Sequence, residues 1–232
     1  MSEIAIISDI HGNYPALKAV LSDLDKRKIT AVYCLGDLVG YYCFFNEVVE
    51  CLRERNIPCI VGNHDYALLY DQGVIQRSKT CTRILKWQLE RITPENLDFL
   101  KSLPNLIEFG HSGKTVFCTH GGLRDHVDEY LFDVNMDYLA QSEFTKDILV
   151  TGHTHLPSYK KFYSGQSWIN PGAVGQPRDG DNRACYFIFK EDGRFEFVRV
   201  PYNVKEVVDE MAKQGFDEYI SAPLITGRKI GL

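Results

Sequence analysis

The sequence predicts an α/β fold in which two β-sheets pack face to face with helices outside them. In the first 65 residues, short apolar runs alternate with helical patterns, which indicates parallel strands joined by crossover helices. From about residue 105 to residue 200, most apolar runs are separated only by turns or short loops, which indicates mostly antiparallel strands. Two packed sheets accommodate both halves, and 232 residues are enough for one sizeable core.

The first strand and helix follow from individual residues. The apolar run EIAIIS (3–8) ends at a polar loop, as a buried strand does. Asn13 can then cap a helix that has Pro15 in its first turn, and the apolar residues within 17–24 follow helical spacing. The same kinds of pattern predict a second strand at 31–35, a second helix at about 45–55 and a third strand at 58–61.

Residues 66–103 have helical rather than strand-like spacing, so we expect a small helical insertion or cap there. The whole chain, 1–232, is expected to form one domain around it. A hairpin is expected at 105–122, with its turn at Ser112 and Gly113. The remaining patterns predict strands at 147–151, 157–163, 167–172, 184–190 and 194–200, and helices at about 133–142 and 203–213.

Composition disfavours several classes of partner. The formal net charge of −5 argues against nucleic acid as the main partner, because binding a phosphate backbone needs a basic surface. No apolar run approaches the ~18–20 residues that cross a bilayer, and no basic segment precedes the first apolar run. We therefore expect a cytoplasmic protein without membrane association, whose seven scattered cysteines are reduced.

Five loops, each directly after an apolar run, carry side chains that can bind metal. They are Asp9-x-His11, Gly36-Asp37-x-x-Gly40, Gly62-Asn63-His64-Asp65, Thr119-His120-Gly121 and Gly152-His153-Thr154-His155. In extended backbone, residues two apart project to the same side, so each closely spaced pair can address one point or two neighbouring points. Carboxylate, imidazole and amide ligands without thiolate suit first-row divalent ions. One carboxylate has two oxygens and can bridge two such ions.

The blocks SDIHGN, GDLVG, GNHD, THGG and GHTH resemble, in this order, the five-block signature of the calcineurin-like metallophosphoesterases. The resemblance spans residues 8–155, and NPGAVGQPR (170–178) is similar to a loop of small bacterial, phosphodiesterase-like members. It implies a four-layer αββα sandwich with two mixed β-sheets face to face, which agrees with the strand pattern.

The resemblance also implies a role for each site residue. One divalent ion would be held by Asp9, His11, Asp37 and His155. A second would be held by Asp37, Asn63, His120 and His153, with Asp37 bridging the two. His64 would protonate the leaving oxygen or steady the phosphate charge. The implied reaction is hydrolysis of a small phosphodiester by a hydroxide that bridges the metals, with manganese, iron, nickel and zinc all open as the metal.

Alternatives stay open at the level of the substrate. A phosphomonoesterase or a nucleotide pyrophosphohydrolase is the second choice, and a non-enzymatic scaffold of the same fold is the third. Retention of His64 and of every ligand position argues against the scaffold. The Ser/Thr phosphatase and symmetrical dinucleoside-tetraphosphatase branches carry Asp-Arg-Gly where this chain has Gly40, Tyr41 and Tyr42. The arginine that grips phosphate and the aspartate that orients the catalytic histidine in those branches are therefore missing.

Two further residues are candidates for contact with the substrate. Arg178 could bind a phosphate through two hydrogen bonds, although we favour a solvated loop position. Tyr41 could stack on an aromatic group, although we favour a core or rim role. Asp65 is expected to cap a helix rather than to act as an acid. A small phosphate ester is the expected partner, and the oligomeric state is left open.

Overall fold

Two mixed β-sheets form the centre of the protein in the computed structural model, which describes residues 3–228. The first sheet contains, in spatial order, β2 (Ala31–Cys34), β1 (Ile4–Ile7), β8 (Ala184–Phe189) and β9 (Phe195–Val200). The second contains β3 (Leu106–His111), β4 (Lys114–Thr119), β5 (Ile148–Thr151), β7 (Ser167–Asn170) and β6 (Ser158–Lys161). The predicted α/β class with two mixed sheets is confirmed.

Helices flank the two sheets. Their bounds are α1 (Tyr14–Arg27), α2 (Phe45–Glu54), α3 (Asn63–Tyr70), α4 (Lys79–Leu89), α5 (Pro94–Lys101), α6 (Met136–Gln141), α7 (Val204–Lys213), α8 (Glu218–Ser221) and α9 (Pro223–Thr226). Asn13 caps α1 as predicted, since its side chain accepts a hydrogen bond from the backbone N–H of Ala16 at 3.1 Å. Over residues 3–228, no helix is long and apolar enough to cross a membrane. The cytoplasmic location stays a prediction.

Alternate residues of β1 enter two different cores. Ile4 and Ile6 pack between the sheets, with residues of β4 and β5. Ala5 and Ile7 pack on the other side, against the apolar face of α1 and α2. Because side chains on a strand alternate between faces, this short run joins two layers of the sandwich. Complete burial of a side chain such as Ile6 contributes roughly 1.5–3 kcal/mol.

Two details of the predicted strand pattern are wrong. Residues 58–61 lie beside β2, but only Cys59 forms a bridge, with Cys34. The ladder stays short because Pro58 has no N–H to donate and Val61 donates to the carbonyl of Pro104, outside the sheet. The second sheet is also less antiparallel than expected, since β4, β5 and β7 are mutually parallel. The long connection from β4 to β5 carries α6 and allows this crossover.

The range predicted as an insertion, 66–103, contains the second half of α3 and all of α4 and α5. α3 and α4 pack on each other, and α5 packs on α2. The single-domain organisation and the role of this range as a cap stay predictions. The C-terminal tail, for which the sequence predicted no structure after 213, adds α8 and α9. Residues 229–232 lie outside the described range.

The topology places the candidate site at one edge of both sheets. β1 and β2 are parallel in the first sheet, and β4 and β5 are parallel in the second. The predicted ligands follow the carboxyl ends of these four strands and the start of α3. Carboxyl ends of parallel strands meet at the same edge, where α/β proteins bind ligands.

Candidate metal centre

Five of the predicted ligands have a left-handed backbone, with φ from 53° to 66°; they are Asp9, His11, Asp37, His153 and His155. The expectation that extended backbone presents these pairs to one side is therefore wrong. Such a conformation costs roughly 1–3 kcal/mol for a non-glycine residue and has to be held by its surroundings. Backbone hydrogen bonds hold it here, from His11 N–H to the Asp37 carbonyl at 2.8 Å and from Asp9 N–H to the Gly36 carbonyl at 3.1 Å.

The first cluster contains Asp9, His11, Asp37 and His155, which are all buried. Their candidate ligand atoms lie within 4.8 Å of one another. His155 Nε2 is 3.2 Å from Asp9 Oδ1 and 3.1 Å from His11 Nε2. His11 Nε2 is in turn 3.4 Å from Asp37 Oδ2. Four side chains from three separate loops therefore converge on one point.

The second cluster shares Asp37 with the first and adds His120 and His153. His120 Nε2 lies 3.4 Å from the same oxygen, Asp37 Oδ2, and 3.2 Å from Asn63 Oδ1. The other oxygen, Asp37 Oδ1, accepts a hydrogen bond from the backbone N–H of His64 at 2.8 Å. The structure thus brings all seven predicted ligands together around the carboxylate of Asp37.

Hydrogen bonds to backbone carbonyls fix the orientation of three imidazoles. Nδ1 of His11, His120 and His155 lies 3.1, 2.7 and 2.6 Å from the carbonyl oxygens of Val39, Leu35 and Gln176, respectively. Each Nδ1 must donate in these bonds, so Nε2 of a neutral ring is left as an acceptor. Burial lowers the pKa of His11 and His155, which favours the neutral ring in both. Histidines that bind metal are held in this way, with the second ring nitrogen fixed by a carbonyl.

The donor set fits divalent metal ions. Nε2 of His11 and Nε2 of His155 are both acceptors, so a proton or a cation must lie between them to relieve their repulsion. A first-row ion with bonds of about 2.0–2.1 Å places neighbouring ligand atoms about 3 Å apart, in line with the observed spacing. Asp9 Oδ1 and His153 Nε2 are buried without a hydrogen-bond partner among the described residues. Buried polar atoms of this kind call for an ion or another partner.

The electrostatics of the site also favour a cation. Burial disfavours the charge of Asp9 and Asp37, but the neighbouring imidazoles outweigh it and lower the pKa of both carboxyls. At His120, burial acts to lower the pKa, but Asp37 and Asp9 raise it to about 10. Burial prevails at His153, whose pKa is lowered. Two buried carboxylates therefore require positive charge, which a proton on His120 or divalent ions can supply.

His64 lies beside both clusters, with its ring centroid 4.7 Å from that of His11. Its Nδ1 is buried without a hydrogen-bond partner in the described part of the chain and faces the backbone of Gly40. A Cβ at Gly40 would lie 2.3 Å from that nitrogen, so the close approach requires glycine. Burial lowers the pKa of His64 to about 4, against the opposing effect of Asp37. Nε2 is the nitrogen left to contact a ligand.

The structure places Arg178 and Tyr41 next to His64. The Arg178 guanidinium donates to the Gln176 side chain at 2.9 Å and to the Tyr41 hydroxyl at 3.2 Å. It is part-buried rather than a solvated loop arginine, because these two bonds hold it against the site. Tyr41 is buried in a rim position, with its ring 4.9 Å from that of His64. Asp65 does cap a helix, since it accepts from Gly62 N–H at the start of α3.

Several residues that contact the site could not be predicted from the sequence. Gln88 of α4 accepts from the N–H of Gly40 at 2.8 Å and holds the loop beside His64. The Tyr130 ring lies 3.7 Å from that of His153, and Asp128 Oδ1 lies 3.6 Å from His153 Nε2. These residues belong to no recognisable spacing, so only their three-dimensional positions reveal them.

Comparison with known proteins agrees with this geometry. The family model of the calcineurin-like phosphoesterase superfamily domain matches residues 2–194. An uncharacterized protein of Methanocaldococcus jannaschii, MJ0912, is 39% identical over 243 residues, which cover 98% of this chain and 99% of that protein.

Two solved structures share the fold over almost the whole chain. A metallophosphoesterase from Sphaerobacter thermophilus superposes with a TM-score of 0.83 at 33% identity, covering 97% of this chain and 99% of the other. The hypothetical protein PH1004 from Pyrococcus horikoshii has a TM-score of 0.89 at 21% identity, covering 99% and 100%, and shows the shared fold alone. With its buried His/Asp cluster, the chain therefore belongs to the calcineurin-like phosphoesterase superfamily.

Proposed function

We propose that the protein is a phosphodiesterase that uses two divalent metal ions to hydrolyse a small phosphate ester. The observation that carries this proposal is the position of Asp37 Oδ2, which lies 3.4 Å from His11 Nε2 in one cluster and 3.4 Å from His120 Nε2 in the other. One oxygen that faces two ligand sets is the arrangement expected of a bridging carboxylate. Manganese, iron, nickel and zinc all suit the donor set.

The bound ions would supply Lewis-acid charge and lower the pKa of a water nucleophile from 15.7 to about 7. The chain's own residues do the remaining work. Asp9, Asn63 and the histidines of the two clusters would hold the ions, and the left-handed loops keep these ligands in place before substrate binds. His64 Nε2 would donate a hydrogen bond to the phosphate or to the leaving oxygen.

The charges around the site favour a diester over a monoester. Among the described residues, Arg178 has no carboxylate within ion-pair distance, whereas the nearby Arg77 is neutralised by Asp128 at 2.6 Å. A diester carries one negative charge at neutral pH and a monoester carries nearly two, so a single free guanidinium suits the diester better. Arg178 is proposed to grip a non-bridging phosphate oxygen, with the hydroxyl of Tyr41 holding the guanidinium.

The proposal is tested by assaying bis-p-nitrophenyl phosphate and p-nitrophenyl phosphate side by side. Chelator-stripped protein is reloaded with Mn²⁺, Fe²⁺, Ni²⁺ or Zn²⁺ in turn, and we expect metal-dependent turnover of the diester to exceed that of the monoester. Turnover of the monoester alone would make a phosphomonoesterase the better description. Folded, metal-loaded protein without any turnover would contradict the proposal and favour a scaffold.

Replacement of Arg178 by alanine is expected to raise KM for the diester about tenfold, which corresponds to ~1.4 kcal/mol of lost binding, with a smaller change in kcat. The reason is the loss of a charge-assisted hydrogen bond to phosphate. Arg194→Ala is the matched control, because Arg194 is exposed and its guanidinium pairs with Asp192 in the β8–β9 turn. An unchanged KM in Arg178→Ala would remove Arg178 from the binding site.

A further inference from the structure

A cavity of about 470 Å³ opens directly beside the candidate centre, and His64 and Asn63 form part of its wall. Its volume falls within the ~300–1,000 Å³ typical of small-molecule sites. Tyr130 and Phe132 form part of the wall on the loop between β4 and α6, and Tyr219 of α8 adds to it. The cavity therefore joins the reacting centre to an aromatic surface that the proposed reaction does not use.

The aromatic walls of this cavity are exposed. Phe132 is 65% exposed and Tyr219 is 53% exposed. The rings of Tyr130 and Phe132 are nearly parallel, with an interplanar angle of 4° and centroids 5.6 Å apart. Exposed aromatic rings grouped around one opening indicate a binding surface, because a ligand that covers them removes their apolar surface from water, which is favourable.

Polar groups accompany the aromatic rings. The guanidinium of Arg77 lies 5.0 Å from the centroid of the Tyr130 ring and is paired with Asp128. Ser78 and Thr80 also line the cavity. Flat aromatic surfaces with a few hydrogen-bonding groups at their edges suit a ligand that is planar and polar at its rim. A nucleobase with its ribose has that character, whereas a purely aliphatic alcohol does not.

We infer that this cavity binds the leaving group of the substrate and that the leaving group is a nucleoside. The inference rests on the proposed function, in which His64 contacts the leaving oxygen, and His64 belongs to both the centre and the cavity wall. In the reaction, water oxygen forms a new bond to phosphorus and the bond from phosphorus to the nucleoside oxygen breaks. The nucleoside oxygen takes up a proton, so that a diester and water give a nucleoside and a phosphate monoester.

The test compares two diesters whose leaving groups are alcohols, adenylyl-(3′→5′)-adenosine and bis(glycerol) phosphate, on the Mn²⁺-loaded protein. We expect kcat/KM to be at least about tenfold higher for the nucleoside ester, because its base can stack on the aromatic wall and glycerol cannot. Phe132→Ala should lower kcat/KM for the nucleoside ester about tenfold and leave the glycerol ester unchanged. Tyr219→Ala provides a second variant with the same expectation.

Tyr163→Ala is the matched control, because Tyr163 is 94% exposed and lies in the β6–β7 turn, outside the cavity lining. Equal wild-type rates on the two diesters, or an equal loss on both in Phe132→Ala, would overturn the inference. Bis-p-nitrophenyl phosphate is assayed in parallel, so failure of the proposed function shows separately as no turnover of any ester.

If no ester is hydrolysed, the binding of AMP, measured by calorimetry, still tests whether the cavity binds a nucleoside. We expect AMP to bind wild-type protein and the Tyr163→Ala control alike, and about tenfold more weakly to Phe132→Ala. Glycerol phosphate, the non-aromatic comparison ligand, should bind both equally. Equal binding of AMP to wild type and Phe132→Ala would overturn the inference whatever the outcome of the kinetic assays.

Discussion

Asp37→Asn is expected to reduce the bound metal and to lower kcat/KM for the diester at least about a hundredfold. Changes to residues that only orient metal ligands already cost about 10–100-fold, and Asp37 faces both clusters directly. The variant keeps the shape of the side chain and an amide oxygen that can still accept from His64 N–H. It removes the negative charge and replaces Asp37 Oδ2, the oxygen that lies near Nε2 of both His11 and His120, with an amide nitrogen.

Metal content by mass spectrometry and the melting temperature with and without added Mn²⁺ provide readouts that do not depend on turnover. A ligand that binds only the native state stabilises it, so wild-type protein should melt at a higher temperature with metal and the variant should gain much less. Asp98→Asn is the matched control, since Asp98 is exposed on α5 and its carboxylate pairs with Lys101, away from both clusters. Full metal loading with normal rates in Asp37→Asn would rule out the bridging role.

His64→Ala is expected to keep the metal content of the wild type and to lose about 10²–10⁴-fold in kcat, the usual contribution of a positioned proton donor. The loss should be larger for a diester with an alkyl leaving group than for bis-p-nitrophenyl phosphate, whose leaving group needs no proton. An equal loss on both esters would indicate that His64 steadies the phosphate charge instead.

The matched control for His64 is His111→Ala. Both histidines are 6% exposed. His111, however, lies on the β3–β4 hairpin and hydrogen-bonds the carbonyl of Lys190 at 3.1 Å. The control should therefore lose stability and keep its rate once folded. If His64→Ala hydrolyses the alkyl diester at the wild-type rate, His64 has no role in the reaction.

The sequence predicted the larger part of the fold because the signals it uses are local. The buried strand β1 is visible in the short apolar run that ends at Ser8, and the cap at Asn13 is visible in its distance from Pro15. The wrong strand at 58–61 shows the limit of such signals. Its apolar run is suitable, but strand length depends on which N–H groups meet a neighbouring carbonyl, and the neighbours are set by the rest of the chain.

The same division holds for the candidate site. Residue type and position after each strand identified the five loops, and the family resemblance then selected the side chains that converge around Asp37, because ligand chemistry belongs to single residues. The left-handed backbone at these positions had no signal, since non-glycine residues adopt it only when tertiary hydrogen bonds impose it. The sequence also favoured a solvated position for Arg178, which tertiary contacts place against Tyr41.

The sequence by itself determined the family and the α/β class of this protein, and it predicted the candidate ligands that the structure brings together. Only the tertiary structure decided which groups surround the candidate metal centre, because those contacts join residues far apart in the chain. Tyr41 and Arg178 are 137 positions apart, and Tyr130, His64 and Tyr219 come from separate parts of the chain to line one cavity. The physical reason is that the ability of a side chain to bind metal depends on its residue type, which the sequence gives directly. The shape and charge of a cleft arise from the packing of separate elements.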